Sequence, residues 1–327
     1  MRAAYYEANG PARDVLRVST IETPRPGPGE VRVKIAASGV NPSDVKARAG
    51  LTRKIAFPRV IPHSDGAGVI DAIGAGVPPS RLGERVWIWN AQWRRPFGTC
   101  AEYVTLPAEL TVRLPDHIGF EIGACLGIPA ITGYHAVAMT EAWAGSTLLI
   151  SGGAGQVAQY AIQFAKARGA VVIATVSSEQ KADQALAASA DHIVDYKRED
   201  VAAALMDLTD SAGVDAVIEV DIAANANLLP KVLRPRGTVV AYGTGKTNAP
   251  FPFQTFLTSQ LALKFIFVYE ISSEERQEAI SAVTRMLDDN RLRHTVALTL
   301  SLDDVAAAHE AVESGSTLGK VVVKLPL

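Results

Sequence analysis

The stretch Leu148-Leu149-Ile150-Ser151-Gly152-Gly153-Ala154-Gly155-Gln156-Val157-Ala158 carries an apolar strand through a glycine turn into an amphipathic helix. Gly153, Gly155 and Ala158 fit the G-x-G-x-x-G/A pattern of a dinucleotide-binding turn. The first small residue permits the tight turn, the second lets backbone approach a pyrophosphate, and Ala158 keeps the helix close to the strand. N–H groups at the helix start face the phosphates. Gly152, Gly153, Ala154, Gly155, Gln156 and Val157 are therefore candidate cofactor-binding residues.

The flanks support that reading. Residues 147–150 form a short strand pattern, Val157, Ala161, Phe164 and Ala165 recur at helical spacing, and a second strand pattern follows at 171–176. A βαβ unit of about 30 residues is the first half of a Rossmann sheet. In NAD-preferring sheets a carboxylate ends the second strand and binds the adenosine ribose. Here the strand ends Ala174-Thr175-Val176-Ser177-Ser178, with Lys181 on the next helix. Two hydroxyls and an ammonium suit a 2'-phosphate, which favours NADPH over NADH. Taken singly, Ser178 reads as a helix N-cap and Lys181 as a solvated charge. Tyr196, just after the third strand, is a candidate to pack beside the adenosine end.

At 327 residues and 48% hydrophobic content, the chain can bury two substantial cores. A formal net charge of -2 gives no broad electrostatic reason to bind nucleic acid or membrane. No apolar run of about 18 residues and no leader pattern is read, so a cytoplasmic protein is expected. Two cysteines, Cys100 and Cys125, provide neither a disulfide framework nor a thiolate cluster and read as buried thiols.

Residues 1–121 alternate β-branched positions with glycine and proline, as in Val31-Arg32-Val33-Lys34-Ile35, and read as a β-rich domain. Residues 122–269 alternate strands and helices. Residues 270–327 return to β pattern and close on Lys320-Val321-Val322-Val323-Lys324, which predicts a tail that rejoins the first domain. Lys264-Phe265-Ile266-Phe267-Val268-Tyr269 reads as a nearly continuous apolar strand at a sheet edge that pairing with a second copy would cover. Trp87 and Trp89 fall on one side of a strand and, with Trp93, form an aromatic cluster suited either to sandwiching a planar acceptor or to core packing.

Several segments resemble the medium-chain dehydrogenase/reductase superfamily, and within it the zinc-free quinone oxidoreductase (zeta-crystallin-like) family. They are Ala37-Ser38-Gly39-Val40-Asn41-Pro42-Ser43-Asp44, Asp65-Gly66-Ala67-Gly68-Val69, Gly83-Glu84-Arg85-Val86, Gly98-Thr99-Cys100-Ala101-Glu102-Tyr103, Thr132-Gly133-Tyr134-His135-Ala136, the glycine turn, Ala190-Asp191-His192 and Gly315-Ser316-Thr317-Leu318-Gly319-Lys320. The resemblance implies an α/β protein, a GroES-like β-rich catalytic domain plus a Rossmann doubly wound parallel sheet, and a homodimer formed through the edge of that sheet. It also implies that Asn41 and Thr132 lie near the nicotinamide and substrate, and Tyr242 and Gly243 at the cofactor-facing end of the fifth strand.

Zinc-dependent relatives hold a Lewis acid with a Cys, a His and a further Cys or similar ligand. Asn41, Ser64 and Ile128 stand at or near those positions, and His63 is one residue out of register. Hydride delivery from NADPH to a quinone or activated alkene suits the parts that remain, because conjugation spreads the developing charge. Asp44 is a candidate either for the chemistry or for holding a turn or Arg48. Lys46 and Thr52 replace two tyrosines of the resembling quinone reductases. Reduction of enoyl thioesters or haloacrylates is an alternative that shares every motif. A crystallin-like or RNA-binding protein that keeps NADPH as a ligand is a second.

Overall fold

The glycine-turn strand and its successors build one parallel sheet, and the alternating N-terminal segment builds a separate antiparallel one. The computed structural model describes residues 1–246 and 248–326. Its strands, in chain order, are β1 (Arg2–Tyr5), β2 (Arg17–Thr20), β3 (Glu30–Val40), β4 (Asp65–Ile73), β5 (Arg85–Ile88), β6 (Tyr103–Pro107), β7 (Thr111–Arg113), β8 (Thr147–Ile150), β9 (Val171–Val176), β10 (His192–Asp195), β11 (Val214–Glu219), β12 (Leu233–Ala241), β13 (Ala262–Phe265), β14 (Val296–Ser301) and β15 (Lys320–Lys324). Residues Met1–Ile128 with Met286–Leu327 form one compact unit, and Pro129–Arg285 the other.

In the first unit, the sheet runs β14-β15-β3-β4-β5-β7, with β6 also paired to β3. β3 organises it. Val31, Val33 and Ile35 alternate into the core, and from Ile35 onward every residue is buried because β15 pairs with its C-terminal half. Register sets Gly39 opposite both Asp65 and Val322, so the end of β3 and the starts of β4 and β15 meet at one place. A lysine and an aspartate that open apolar strands are thereby brought into the core beside Asn41.

The second unit holds the parallel sheet in the order β10-β9-β8-β11-β12-β13. This 3-2-1-4-5-6 arrangement reverses direction between β8 and β11, where ligands bind in doubly wound sheets. Its core includes Leu149, Ile173, Val217 and Val239, and each fully buried Val, Leu or Ile stabilises the fold by about 1.5–3 kcal/mol relative to exposure.

The unit boundaries lie later than composition places them. Instead of ending at 121, the first unit runs to Ile128, partway along the helix Phe120–Met139. Gly127 leaves helical geometry there and Pro129 follows. The return to the first unit begins at Met286 rather than 270, because most of the helix Ser273–Asp288 belongs to the second. The helix Phe120–Met139 is long and apolar enough to cross a membrane by composition, yet it is mostly buried within the protein. The expected edge strand over 264–269 also stops early. β13 ends at Phe265, opposite Ala241, where its partner β12 ends too. Val268–Glu270 form a single 3-10 turn, leaving Phe265 and Phe267 more than half exposed at the sheet edge.

Candidate functional site

The second unit carries the glycine turn. Gly152 takes a φ of +64°, and its N–H donates to Thr175 Oγ1 at 3.1 Å. The Gly153 N–H donates to the Thr175 carbonyl and the Gly155 N–H to the Gly152 carbonyl, both at 2.8 Å. These three glycines therefore shape the turn, as their small size suggests, with their N–H groups engaged within the protein. A Cβ at Gly153 would come within 2.7 Å of the Ala174 Cβ, so no side chain fits there. Among the described residues, the N–H groups of Ala154, Gln156 and Val157, at the start of the helix Gln156–Ala167, meet no backbone acceptor. Gln156 Nε2 is buried and, among the described residues, also without a partner. Such an orphaned donor beside helix-end N–H groups fits a dinucleotide pyrophosphate.

Beyond the end of β9, Ser178 is the N-cap of the helix Glu179–Ala187, its hydroxyl accepting from the Lys181 N–H at 3.4 Å. Lys181 Nζ reaches back to donate to Ser177 Oγ at 2.9 Å. The structural role of Ser178 thus brings ammonium and hydroxyl together at the end of β9. The Tyr196 N–H donates to the Val176 carbonyl at 3.0 Å, which sets this half-exposed tyrosine beside them.

A residue that sequence reasoning missed lies at the reversal between β8 and β11. Glu219 is buried, and its Oε1 accepts from Ser151 Oγ at 2.9 Å, the Asp221 N–H at 2.6 Å and Asn225 Nδ2 at 3.0 Å. Burial raises its carboxyl above the usual range. The Tyr242 N–H donates to the Glu219 carbonyl and the Gly243 carbonyl accepts from Ile222, fixing both residues at the C-terminal ends of β11 and β12. Burial pushes the Tyr242 phenol upward. Thr132 is buried on the helix Phe120–Met139, one residue before Gly133, which packs on Tyr160 of the helix Gln156–Ala167.

The first unit holds a buried polar centre. Asn41 Nδ2 donates to Asp65 Oδ2 at 2.7 Å, while Lys320 Nζ donates to Asn41 Oδ1 at 2.5 Å and to Asp65 Oδ2 at 3.0 Å. The other Asp65 oxygen accepts the Ile128 N–H at 2.8 Å. That approach depends on Gly127, where a Cβ would fall 2.0 Å from Asp65 Oδ1. Asp44 sits at the third position of the helix Pro42–Ala49 and accepts the Asn41 N–H at 2.9 Å. Burial, reinforced by Asp65, pushes its pKa up to about 7. Arg48 is not its partner; it pairs with Glu313 and donates to the Gly10 carbonyl. Sequence reasoning found Asn41 and Asp44 but not Asp65 or Lys320, whose meeting depends on a pairing 255 residues apart.

A second buried chain of polar groups leads to the same place. His63 Nε2 lies 3.0 Å from His309 Nε2, and His63 Nδ1 lies 2.8 Å from Ser38 Oγ. Ser38 Oγ lies 2.7 Å from Thr99 Oγ1, which donates to the Asp65 carbonyl at 2.5 Å. Because Thr99 donates onward, Ser38 donates to Thr99 and His63 Nδ1–H donates to Ser38. His309 therefore donates from Nε2, leaving its partnerless Nδ1 as a bare acceptor, which costs less than a buried unpaired N–H. His63 is thus a structural donor.

The residues at the metal-ligand positions do not fit zinc. Asn41 is tied to Asp65 and Lys320, Ile128 contributes only its backbone, and an ammonium lies where a cation would be drawn. Among the described residues, no group of three or more His, Cys, Asp or Glu is placed to hold a metal ion. Trp87 and Trp89 are both buried in the core of the first unit, in keeping with the packing alternative. Cys100 and Cys125 are free and buried, with the Cys125 thiol pushed up to about 12 by burial.

Residues 27–116 match the alcohol dehydrogenase GroES-like domain, and residues 157–285 the family described as zinc-binding dehydrogenase. A quinone oxidoreductase of Pseudomonas aeruginosa is 31% identical over 319 residues, covering 95% of each chain. The crystal structure of Escherichia coli quinone oxidoreductase complexed with NADPH superimposes with a TM-score of 0.89 at 25% identity, over 99% of each chain. That of an NAD-dependent alcohol dehydrogenase does so at 0.90 and 28%, over 100% of each chain. With its GroES-like domain, its doubly wound sheet and its nicotinamide-nucleotide cradle, the chain belongs to the quinone oxidoreductase family of medium-chain dehydrogenases/reductases and is an oxidoreductase.

Proposed function

We propose that the protein is an NADPH-dependent reductase of quinones and activated alkenes that works without a metal ion. The observation that carries this reading is the Asn41–Asp65–Lys320 centre, in which a lysine ammonium and a carboxamide take the place of a Lewis acid and its ligands. NADPH, when bound, supplies hydride; with one proton from solvent the acceptor is reduced by two electrons and NADP⁺ is released.

The chain's own part is binding and polarisation. Ala154, Gln156 and Val157 hold the pyrophosphate, Ser177 and Lys181 the 2'-phosphate, and Tyr196 packs beside the adenosine. Gly152, Gly153 and Gly155 keep the turn tight. Thr132, Tyr242 and Gly243 shape the nicotinamide end. Asn41 has a second amide N–H beyond the one donated to Asp65. Its carbonyl accepts from Lys320 at 2.5 Å, which polarises the amide and strengthens that remaining donor toward an acceptor oxygen. Asp44 acts by positioning Asn41 through its backbone N–H. The open β13 edge, with Phe265 and Phe267 exposed, favours a homodimer, and the modest net charge favours neither nucleic acid nor membrane. A cytoplasmic setting accords with a phosphorylated, reduced cofactor.

The test is an acceptor screen with 1,4-benzoquinone and crotonyl-type compounds against NADPH and NADH. Turnover of at least one class with NADPH, undiminished by chelator and without stoichiometric zinc, is expected. Zinc required for activity, or no turnover of any acceptor, overturns the proposal. In calorimetry, Lys181→Ala is expected to weaken NADPH binding by about 10–100-fold, the size of one lost charge-assisted hydrogen bond. NADH binding is expected to change less than about threefold.

A further inference from the structure

The first unit contains a cavity of about 260 Å³ outside the Asn41 centre. Tyr6, Phe57 and Trp93 give it aromatic walls, and Arg53, Lys54 and Arg94 line it with positive charge, with no Asp or Glu among its lining residues. The Arg53 guanidinium lies 5.2 Å from the Trp93 ring centre and the Arg94 guanidinium 5.7 Å from it, so two cations flank one indole. Arg53 is oriented by Gln92, whose Oε1 accepts from its Nη2 and whose Nε2 is held by the Arg95 carbonyl at 2.9 Å. Neither Arg53 nor Lys54 has a carboxylate at ion-pair distance among the described residues.

The buried Asp44 acts on Arg53 only from beyond ion-pair distance, and a guanidinium held in place by its neighbours is prepared to bind a carboxylate in a planar fork. The cavity also borders the helix that begins beside the proposed reaction centre. Ala47, in its wall, lies on the helix Pro42–Ala49 that begins just after Asn41. Six residues of helix span about 9 Å, the length of a planar bicyclic ring with a short side chain.

We propose that this cavity anchors a carboxylate carried on the acceptor, so that the preferred substrates are anionic, planar, conjugated quinones or enones, with Arg53 as the principal specificity determinant. The proposal rests on the reductase reading for its substrate class, but the binding it describes does not require turnover. Trp93 and Phe57 contact the ring system, Arg53 receives the carboxylate with Lys54 beside it, and Asn41 meets the acceptor oxygen.

The probes are a 1,4-naphthoquinone bearing a propionate side chain and its methyl ester, which share a ring of nearly equal reduction potential and differ in charge. In wild type, kcat/KM for the acid is expected to exceed that for the ester by at least about tenfold. Arg53→Gln, which keeps a hydrogen-bonding side chain, is expected to remove most of that preference through KM while leaving the ester within about threefold. Calorimetry on the enzyme saturated with NADP⁺, which has no hydride to deliver, should show the same preference for the acid and its loss in Arg53→Gln. Retained turnover of the ester, or an unchanged melting temperature, establishes that the variant is folded. Should neither compound be reduced while the acid still binds in an Arg53-dependent way, the subsite stands and the reductase reading fails. Equal binding of acid and ester in wild type, or an equal loss of both in Arg53→Gln, overturns the subsite.

Discussion

Lys320→Met is expected to lower unfolding stability by about 3–5 kcal/mol, the cost of stranding one member of a buried ion pair. Lys320 and Asp65 are both almost wholly inaccessible to solvent, and among the described residues the ammonium is the cation paired with the Asp65 carboxylate. Methionine matches the lysine stem but leaves the negative charge with only Asn41 Nδ2 and the Ile128 N–H. Urea denaturation followed by fluorescence of the buried Trp87 and Trp89 measures the loss. Adding Asp65→Asn, which removes the charge and keeps an acceptor for Ile128, is expected to restore roughly half of it or more. A single variant within about 1 kcal/mol of wild type would show that the centre is not the electrostatic keystone of the first unit.

His309→Gln is expected to make the protein less sensitive to acid. The His309 ring is buried against His63, and burial with the charge of Arg48 lowers its pKa from 6.5 to about 3. Burial and the neighbouring His309 and Lys320 also lower His63. A base whose folded pKa is depressed binds protons only after unfolding, so its contribution is intact above about pH 6.5 and is lost as pH falls toward 3. For His309 alone the loss between pH 7 and pH 5 is about 2 kcal/mol. Asp44 works in the opposite sense, since its raised pKa stabilises the fold as pH falls from about 7 toward 4, but it is common to both proteins. Glutamine keeps a donor near the His309 Nε2 position and does not titrate. The difference between wild type and variant, measured by urea midpoints at pH 7 and pH 5, should therefore report that ring together with its effect on His63. Parallel acid dependence of the two proteins would contradict the depressed pKa.

The parts of the fold written in local pattern were readable from the sequence. The strand, glycine turn and helix at 147–167 are fixed by residues that touch one another within a turn or two, and Ser177 with Lys181 are four apart on neighbouring pieces of chain. What escaped depends on distant partners. Asp65 and Lys320 look like ordinary strand-end charges until β3 registers against both β4 and β15. Glu219 looks like the end of an apolar strand until Ser151 crosses the sheet reversal to meet it. Trp87 and Trp89 share a periodicity that core and ligand surfaces both produce, and only their burial in the folded unit decides between them. The strand expected to reach 269 failed for the same reason, since apolar residues alone cannot extend a ladder beyond the end of its neighbour.

The return of the C-terminal strand has a consequence for how the molecule is made. Residues 129–285 contain the strands of the parallel sheet, so that unit can be completed before residues 286–327 have emerged from the ribosome. The N-terminal unit has no such independence. Asp65 is synthesised early and must await the lysine at 320, so a nascent chain halted before the final strand carries an uncompensated charge at its centre and should be held open for chaperones and proteases to find.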